Sequence, residues 1–135
     1  MSYPITDIEG IDGEAVAILK SVGIRSTERL LETARTLRGR RLLAAKTGLN
    51  EKSLLSWANV ADRMRVKGIS KEYAGLLQAA GVDTVKELKY RNPANLAKAM
   101  AEANKKNKLV RQLPSEKVVA RWIENAKKLP LKISY

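Results

Sequence analysis

Apolar residues recur along this chain at helical spacing, and no segment keeps a period-two alternation for long. Leu54, Trp57, Ala58, Ala61 and Met64 fall on one face of a predicted helix, and Val119, Trp122, Ile123 and Ala126 on one face of another. Glycine and capping residues punctuate the pattern. Gly10 and Gly68 interrupt the chain just before Asp12 and Ser70, which are placed to cap helices running to about Val22 and Ala80. Gly23 and Gly81 end those helices, and Ser26 and Thr84 open the next pair, Thr84 with Glu87 as a capping box. Asn50 and Ser115 cap the two tryptophan-bearing helices, with Pro114 supporting the second boundary. Pro93 opens a helix at its first turn, and Pro130 closes the last one. The expectation is an all-α compact bundle of about eight to ten short helices, followed by an extended or frayed stretch at 129–135. Both tryptophans read as core, with base stacking as the alternative.

The helical pattern repeats. Residues 10–31 align with 68–89 at an offset of 58, with identities at Gly10/Gly68, Ile11/Ile69, Glu14/Glu72, Leu19/Leu77, Gly23/Gly81 and Leu30/Leu88. Further on, Asn50–Ala61 aligns with Ser115–Ala126 at an offset of 65, matching Trp57 to Trp122 and Glu51-Lys52 to Glu116-Lys117. The changed offset places an insertion near Arg91-Asn92-Pro93 or in the polar run Asn104–Lys108. The chain, 1–135, is therefore expected to be one domain holding two internal repeats, 5–63 and 64–128, that share one core. A unit of about 60 residues alone has a marginal interior.

Composition then narrows the chemistry. The 135 residues include no histidine and no cysteine. This excludes disulfides, imidazole and thiolate metal sites, cysteine nucleophiles and every histidine-based triad. No phosphate-binding glycine loop, dinucleotide fingerprint or zinc-protease motif occurs, and no carboxylate pair stands out. A Ser–Lys dyad is left open by spacing alone. The expectation is a non-catalytic chain with no cofactor, no metal and no small-molecule substrate. No apolar run approaches a membrane span and no secretory signal precedes the first helix, so a cytoplasmic location without membrane association is expected.

The net charge is +12. It is uneven: residues 1–34 carry −3, 35–67 carry +7, 68–97 carry +1 and 98–135 carry +7. Such an excess favours a polyanionic partner, nucleic acid first, although long basic side chains on a helix are often only solvated. Arg38, Arg40, Arg41 and Lys46, with Arg35, crowd one segment. Lys105, Lys106, Lys108 and Arg111 crowd the equivalent place in the second repeat.

The recurring unit, Ile8-x-Gly10-Ile11-Asp12 with Val16 and Leu19, and Val66-x-Gly68-Ile69-Ser70 with Ala74 and Leu77, resembles the helix-hairpin-helix motif. More closely it is similar to the variant in the N-terminal domains of RecA-class recombinases, within the SAM-like superfamily. Gly48-Leu49-Asn50 with Leu54 and Trp57 is a weaker third match. Over residues 5–128 the chain also resembles an uncharacterised, mainly bacterial family of duplicated helix-hairpin-helix-like proteins. The resemblance implies a hairpin whose second helix offers unpaired backbone N–H groups and its positive end to a phosphate. Where such motifs carry a second glycine, this chain has Asp12 and Ser70. That departure suits the helix-capping variant, which is often structural or protein-binding.

The two hairpins differ in charge. Glu9, Asp12 and Glu14 surround the first and would repel a phosphate. Arg63, Arg65, Lys67 and Lys71 surround the second, against Glu72. The expected contact set is Arg65, Lys67, Gly68, Ser70 and Lys71, together with the two basic clusters. The bland alternative is that Gly68 only shapes a helix junction. Duplex DNA is favoured over RNA as partner. The other class is a protein-interaction or scaffold module, including self-association of the acidic first part with the basic block of another copy. Few aromatic residues argue against a single-strand binder.

Overall fold

The computed structural model describes residues 2–135, and among them the fold is all-helical. A 3₁₀ turn at Ile5–Asp7 precedes eight α-helices. These are α1 Gly13–Ser21, α2 Thr27–Ala34, α3 Leu37–Thr47, α4 Glu51–Arg63, α5 Lys71–Ala79, α6 Val85–Lys89, α7 Pro93–Asn107 and α8 Glu116–Lys127. One isolated antiparallel bridge joins Pro4 to Ser26.

Side-chain caps set most helix starts. Asp12 accepts from Ala15 N, Ser26 from Arg29 N, Thr36 from Gly39 N and Asn50 from Ser53 N. Thr84, Asn92 and Ser115 cap α6, α7 and α8 in the same way. Each bond satisfies a donor that the first helical turn leaves open. Ser70 departs from expectation: it occupies the N-cap position of α5, but its hydroxyl makes no cap bond.

The offset that aligns the residues also aligns the backbone bonds. Ile24 N donates to Leu19 O and Val82 N to Leu77 O, both at 2.9 Å. Ile11 N donates to Ile8 O at 3.3 Å, and Ile69 N to Val66 O at 3.0 Å. Packing repeats as well. α2 lies on α3 and α4, α6 and α7 lie on α8, and α4 reaches across to α5 and α6. Buried side chains from Ile5 to Ala126 form one continuous cluster. Trp57 and Trp122 are both in it, at 8 % and 2 % exposure.

One matched position breaks the apolar pattern. Arg63 aligns with Ile5, and Asp83 with Arg25. In the first half the Ile5 N–H donates to the Arg25 carbonyl at 3.1 Å. In the second half, Arg63 Nη1 donates to the Asp83 carbonyl and Nη2 to Gln78 Oε1 at 3.2 Å. A guanidinium thus supplies the bond that the main chain supplies in the first half. Arg63 is 1 % exposed, and its Nε has no hydrogen-bond partner. Burial draws its pKa down to about 10, against the carboxylates of Asp83 and Asp62. The sequence reading placed Arg63 at the basic hairpin surface; the packing corrects this to the interior.

Gly68 is fixed twice over. Its φ of +96° is left-handed, and an added Cβ would sit 2.8 Å from Trp122 Nε1. Gly23, at φ +84°, has open space around the same position. Denaturant unfolding should therefore show Gly23→Ala costing about 1 kcal/mol, the conformational term alone. Gly68→Ala should cost clearly more; equal losses would mean that the Trp122 contact carries no weight. Arg63→Ala should lose about 3 kcal/mol, because it leaves both a cavity and the Asp83 carbonyl and Gln78 without their donor; Arg63→Met loses the same donors but keeps the packed volume, and should lose less. Chemical denaturation of both variants checks the order.

Candidate nucleic-acid interface

The structure divides the basic residues chosen from sequence into three groups. Lys67, Gly68, Ser70 and Lys71 lie exposed on the loop into α5 and its first turn. Because Ser70 makes no cap bond, the first-turn N–H groups of α5 have no side-chain acceptor between two lysines. Asn125 Nδ2 holds the Lys67 carbonyl at 3.2 Å, which fixes the loop against α8. Beside it lies the second basic cluster. A cavity of about 720 Å³ is lined by Glu72 and Tyr73 of α5, Asn104 of α7, and Lys108, Arg111 and Gln112 of the following loop. Tyr73 OH donates to the Gln112 carbonyl at 3.4 Å. Asn104 bonds both the N–H and the carbonyl of Val110, at 3.0 and 3.1 Å, and so holds this loop in shape. Lys105 and Lys106 are exposed at the end of α7, Lys105 pairing with Glu102 at 3.5 Å.

Arg38, Arg41 and Lys46 form the second group. They are exposed on α3, with Arg41 3.7 Å from Glu51. α3 packs on α2 and α4, whereas α7 packs on α5 and α8, so the two clusters belong to different halves.

The third group is a correction. Arg40 is 2 % exposed and donates to the Ala34 carbonyl at 3.0 Å and the Ser134 carbonyl at 2.8 Å. Arg65 pairs with Asp62 at 2.6 Å and donates to the Pro130 carbonyl at 2.9 Å, with its side chain 14 % exposed. Neither is free to meet a phosphate. Each is held between a near acceptor, Ala34 or Asp62, and a distant carbonyl, Ser134 or Pro130. The sequence does carry a signal for Arg63, its alignment with the apolar Ile5, but none for Arg40 or Arg65. Tyr73 and Gln112 join the site only through the packing of α5 on α7.

Asp62 is the carboxylate nearest this arginine group. It is 4 % exposed, and burial raises its pKa above 3.8 despite the opposing Arg65 guanidinium. The first hairpin keeps Glu9, Asp12 and Glu14 exposed, with Asp12 Oδ1 accepting from Ala15 N at 2.7 Å. Its positive helix end is thus already occupied by a carboxylate. The Glu9 side chain also lies against Gly75 of α5. No group of His, Cys, Asp or Glu among the described residues could hold a metal ion. No helix among them is long and apolar enough to cross a membrane.

Fold and surface together define a small basic helical bundle whose two halves repeat the same hairpin geometry. The chain belongs to the family described as Domain of unknown function (DUF4332), whose model matches residues 9–129. No solved structure matches it.

Since the folded-state pKa of Asp62 is raised, the native state holds a proton that the unfolded chain releases. Its contribution to stability therefore falls as pH rises from 3.8 through the raised value. Glu32, whose pKa is lowered by Lys132, acts in the opposite sense, its contribution being lost as pH falls below 4.5. The difference between wild type and Asp62→Asn isolates the Asp62 effect. Wild-type stability should decline relative to the variant across that window, read by denaturant unfolding at a series of pH values. A flat difference would remove Asp62 as a buried titrating group.

Proposed function

We propose that this chain is a non-catalytic protein that binds nucleic acid through phosphates, duplex DNA in particular, with little sequence preference. One observation carries the reading. The α5 N-terminus has no side-chain cap, is flanked by exposed Lys67 and Lys71, and stands beside a cavity bearing Lys108 and Arg111. Helix N-termini of this kind suit a phosphate oxygen, and the lysines supply the charge. Gly68, in its left-handed conformation, makes the tight turn that the helix-hairpin-helix and SAM-like resemblance implies. Backbone amides carry no base information, so affinity should be weak and strongly salt-dependent. A cytoplasmic setting belongs to the same proposal.

The test is fluorescence anisotropy with a labelled duplex of about 30 base pairs, at two salt concentrations, with duplex RNA and single-stranded DNA alongside. With about four phosphates neutralised, the plot of log affinity against log salt should have a slope near −4. The pair Lys67→Glu with Lys71→Glu should abolish binding while leaving the melting temperature close to that of wild type, since both side chains are exposed. Undiminished binding by that folded variant would move the interface elsewhere.

A second reading has its own observation. Glu9, Asp12 and Glu14 are exposed on a chain that also exposes Arg38, Arg41 and Lys46. Opposite patches of this kind suit head-to-tail association between copies. Self-association that appears at low salt and vanishes at high salt, without nucleic acid, would favour a scaffold module over DNA binding.

A further inference from the structure

Residues 129–135 follow α8 without helix and are docked on the bundle. They lie across the bundle, held at successive points by different elements. Lys89 Nζ at the end of α6 donates to the Leu129 carbonyl at 2.7 Å. Arg65 Nη2 donates to the Pro130 carbonyl at 2.9 Å, and Arg40 Nη2 on α3 to the Ser134 carbonyl at 2.8 Å. Ser134 N donates to the Arg35 carbonyl at 2.8 Å, Lys132 pairs with Glu32 on α2, and Tyr135 OH donates to Asn59 Oδ1 on α4 at 3.0 Å.

This mode of attachment is unusual within the molecule. The segment extends no helix and joins no sheet, so its bonds break without unravelling an element. Its apolar anchorage is thin: Leu131 is 56 % exposed and Tyr135 64 % exposed, with Leu129 and Ile133 alone packing on the core. A segment with few buried apolar contacts and solvent-accessible polar bonds is among the first to open. Three cations, from α3, from the loop after α4 and from α6, each donate to a neutral carbonyl of this one segment, Arg40 sharing its donors with Ala34 and Arg65 with Asp62. A phosphate oxygen is a stronger acceptor for such donors, because the bond is charge-assisted on both sides.

We propose that residues 129–135 are a displaceable strap that covers a cationic row made by Arg40, Arg65 and Lys89. The phosphodiester backbone and the strap compete for that row. The inference rests on the polyanion reading above and deepens it, adding a second contact surface and a gate. The carboxylates in the row temper its strength. Asp62 stays paired with Arg65, and opening releases Glu32 from Lys132. The row therefore adds to the α5 hairpin and does not replace it.

The test uses the full chain, which has no native cysteine. Because the Ser134 N–H bonds the Arg35 carbonyl at 2.8 Å, the backbones of these two residues are in contact, and the pair Arg35→Cys with Ser134→Cys is the place to introduce a disulfide, its closure checked by loss of free thiol before binding is read. Oxidation locks the strap and reduction frees it, with the same composition in both states. The oxidised form should bind the labelled duplex about threefold or more weakly than the reduced form, because the competent fraction falls. A second variant, Lys132→Glu, sets two effects against each other. Added negative charge alone predicts weaker binding, whereas repulsion from Glu32 opens the strap and predicts tighter binding. Faster hydrogen exchange at the Ser134 amide should accompany the tighter binding. If the reduced form binds and locking changes nothing, or if Lys132→Glu loosens the strap and weakens binding, the strap proposal falls and the hairpin reading stands. If wild type and both variants all fail to bind at low salt, both fall.

Discussion

The second half of the bundle depends on a bond that its own main chain does not make. In both repeats, the carbonyl that precedes the second helix needs a donor from the segment before the hairpin. Ile5 supplies it to Arg25 as a backbone N–H. At the matching place α4 is still helical, so its N–H groups point along the helix and are used there. Arg63, the last residue of α4, reaches the Asp83 carbonyl with its side chain instead. Burying a guanidinium is expensive, as its lowered pKa and partnerless Nε show. In return, α4 serves both repeats, packing on α2 and α3 behind it and on α5 and α6 ahead.

The same economy governs charge. A net +12 looks like surface, but part of it is internal. Arg40, Arg63 and Arg65 are spent on carbonyls and on Asp62, and Lys89 on the Leu129 carbonyl. A guanidinium has several donors in a fixed plane, so it ties together loops that lack regular pairing. Of the basic clusters, Arg38, Arg41 and Lys46 stay exposed on α3 in one half, and Lys67, Lys71, Lys105, Lys106, Lys108 and Arg111 stay exposed in the other. In the latter, Glu72 and Tyr73 from the first turn of the uncapped α5 line one cavity with Lys108 and Arg111.

The two hairpins show how one backbone can be turned to different ends. Asp12 places its own carboxylate on the α1 amides, while the Ser70 hydroxyl leaves the α5 amides alone. The acidic Glu9 and Glu14 beside the former, and Lys67 and Lys71 beside the latter, extend the contrast. The two hairpins thus share matching backbone bonds and differ in their electrostatics.

Much of the architecture was legible in the residues. Apolar spacing, capping side chains and glycines act within one or two turns, so they placed the helices, and the 58-residue offset placed matching bonds in both halves. The core faces of α4 and α8 followed from the same periodicity. What the residues alone did not decide was which cations face solvent. Arg38 and Arg41 stay outside while Arg40 turns inward, between the nearby Ala34 carbonyl and the Ser134 carbonyl 94 residues away, which only the folded chain brings there. The same holds for Arg65 with Pro130 and for the docking of residues 129–135. Local pattern fixes the helices because its interactions are short in sequence; the partners of long, flexible cations are chosen only when distant carbonyls and carboxylates are brought within a hydrogen bond's reach.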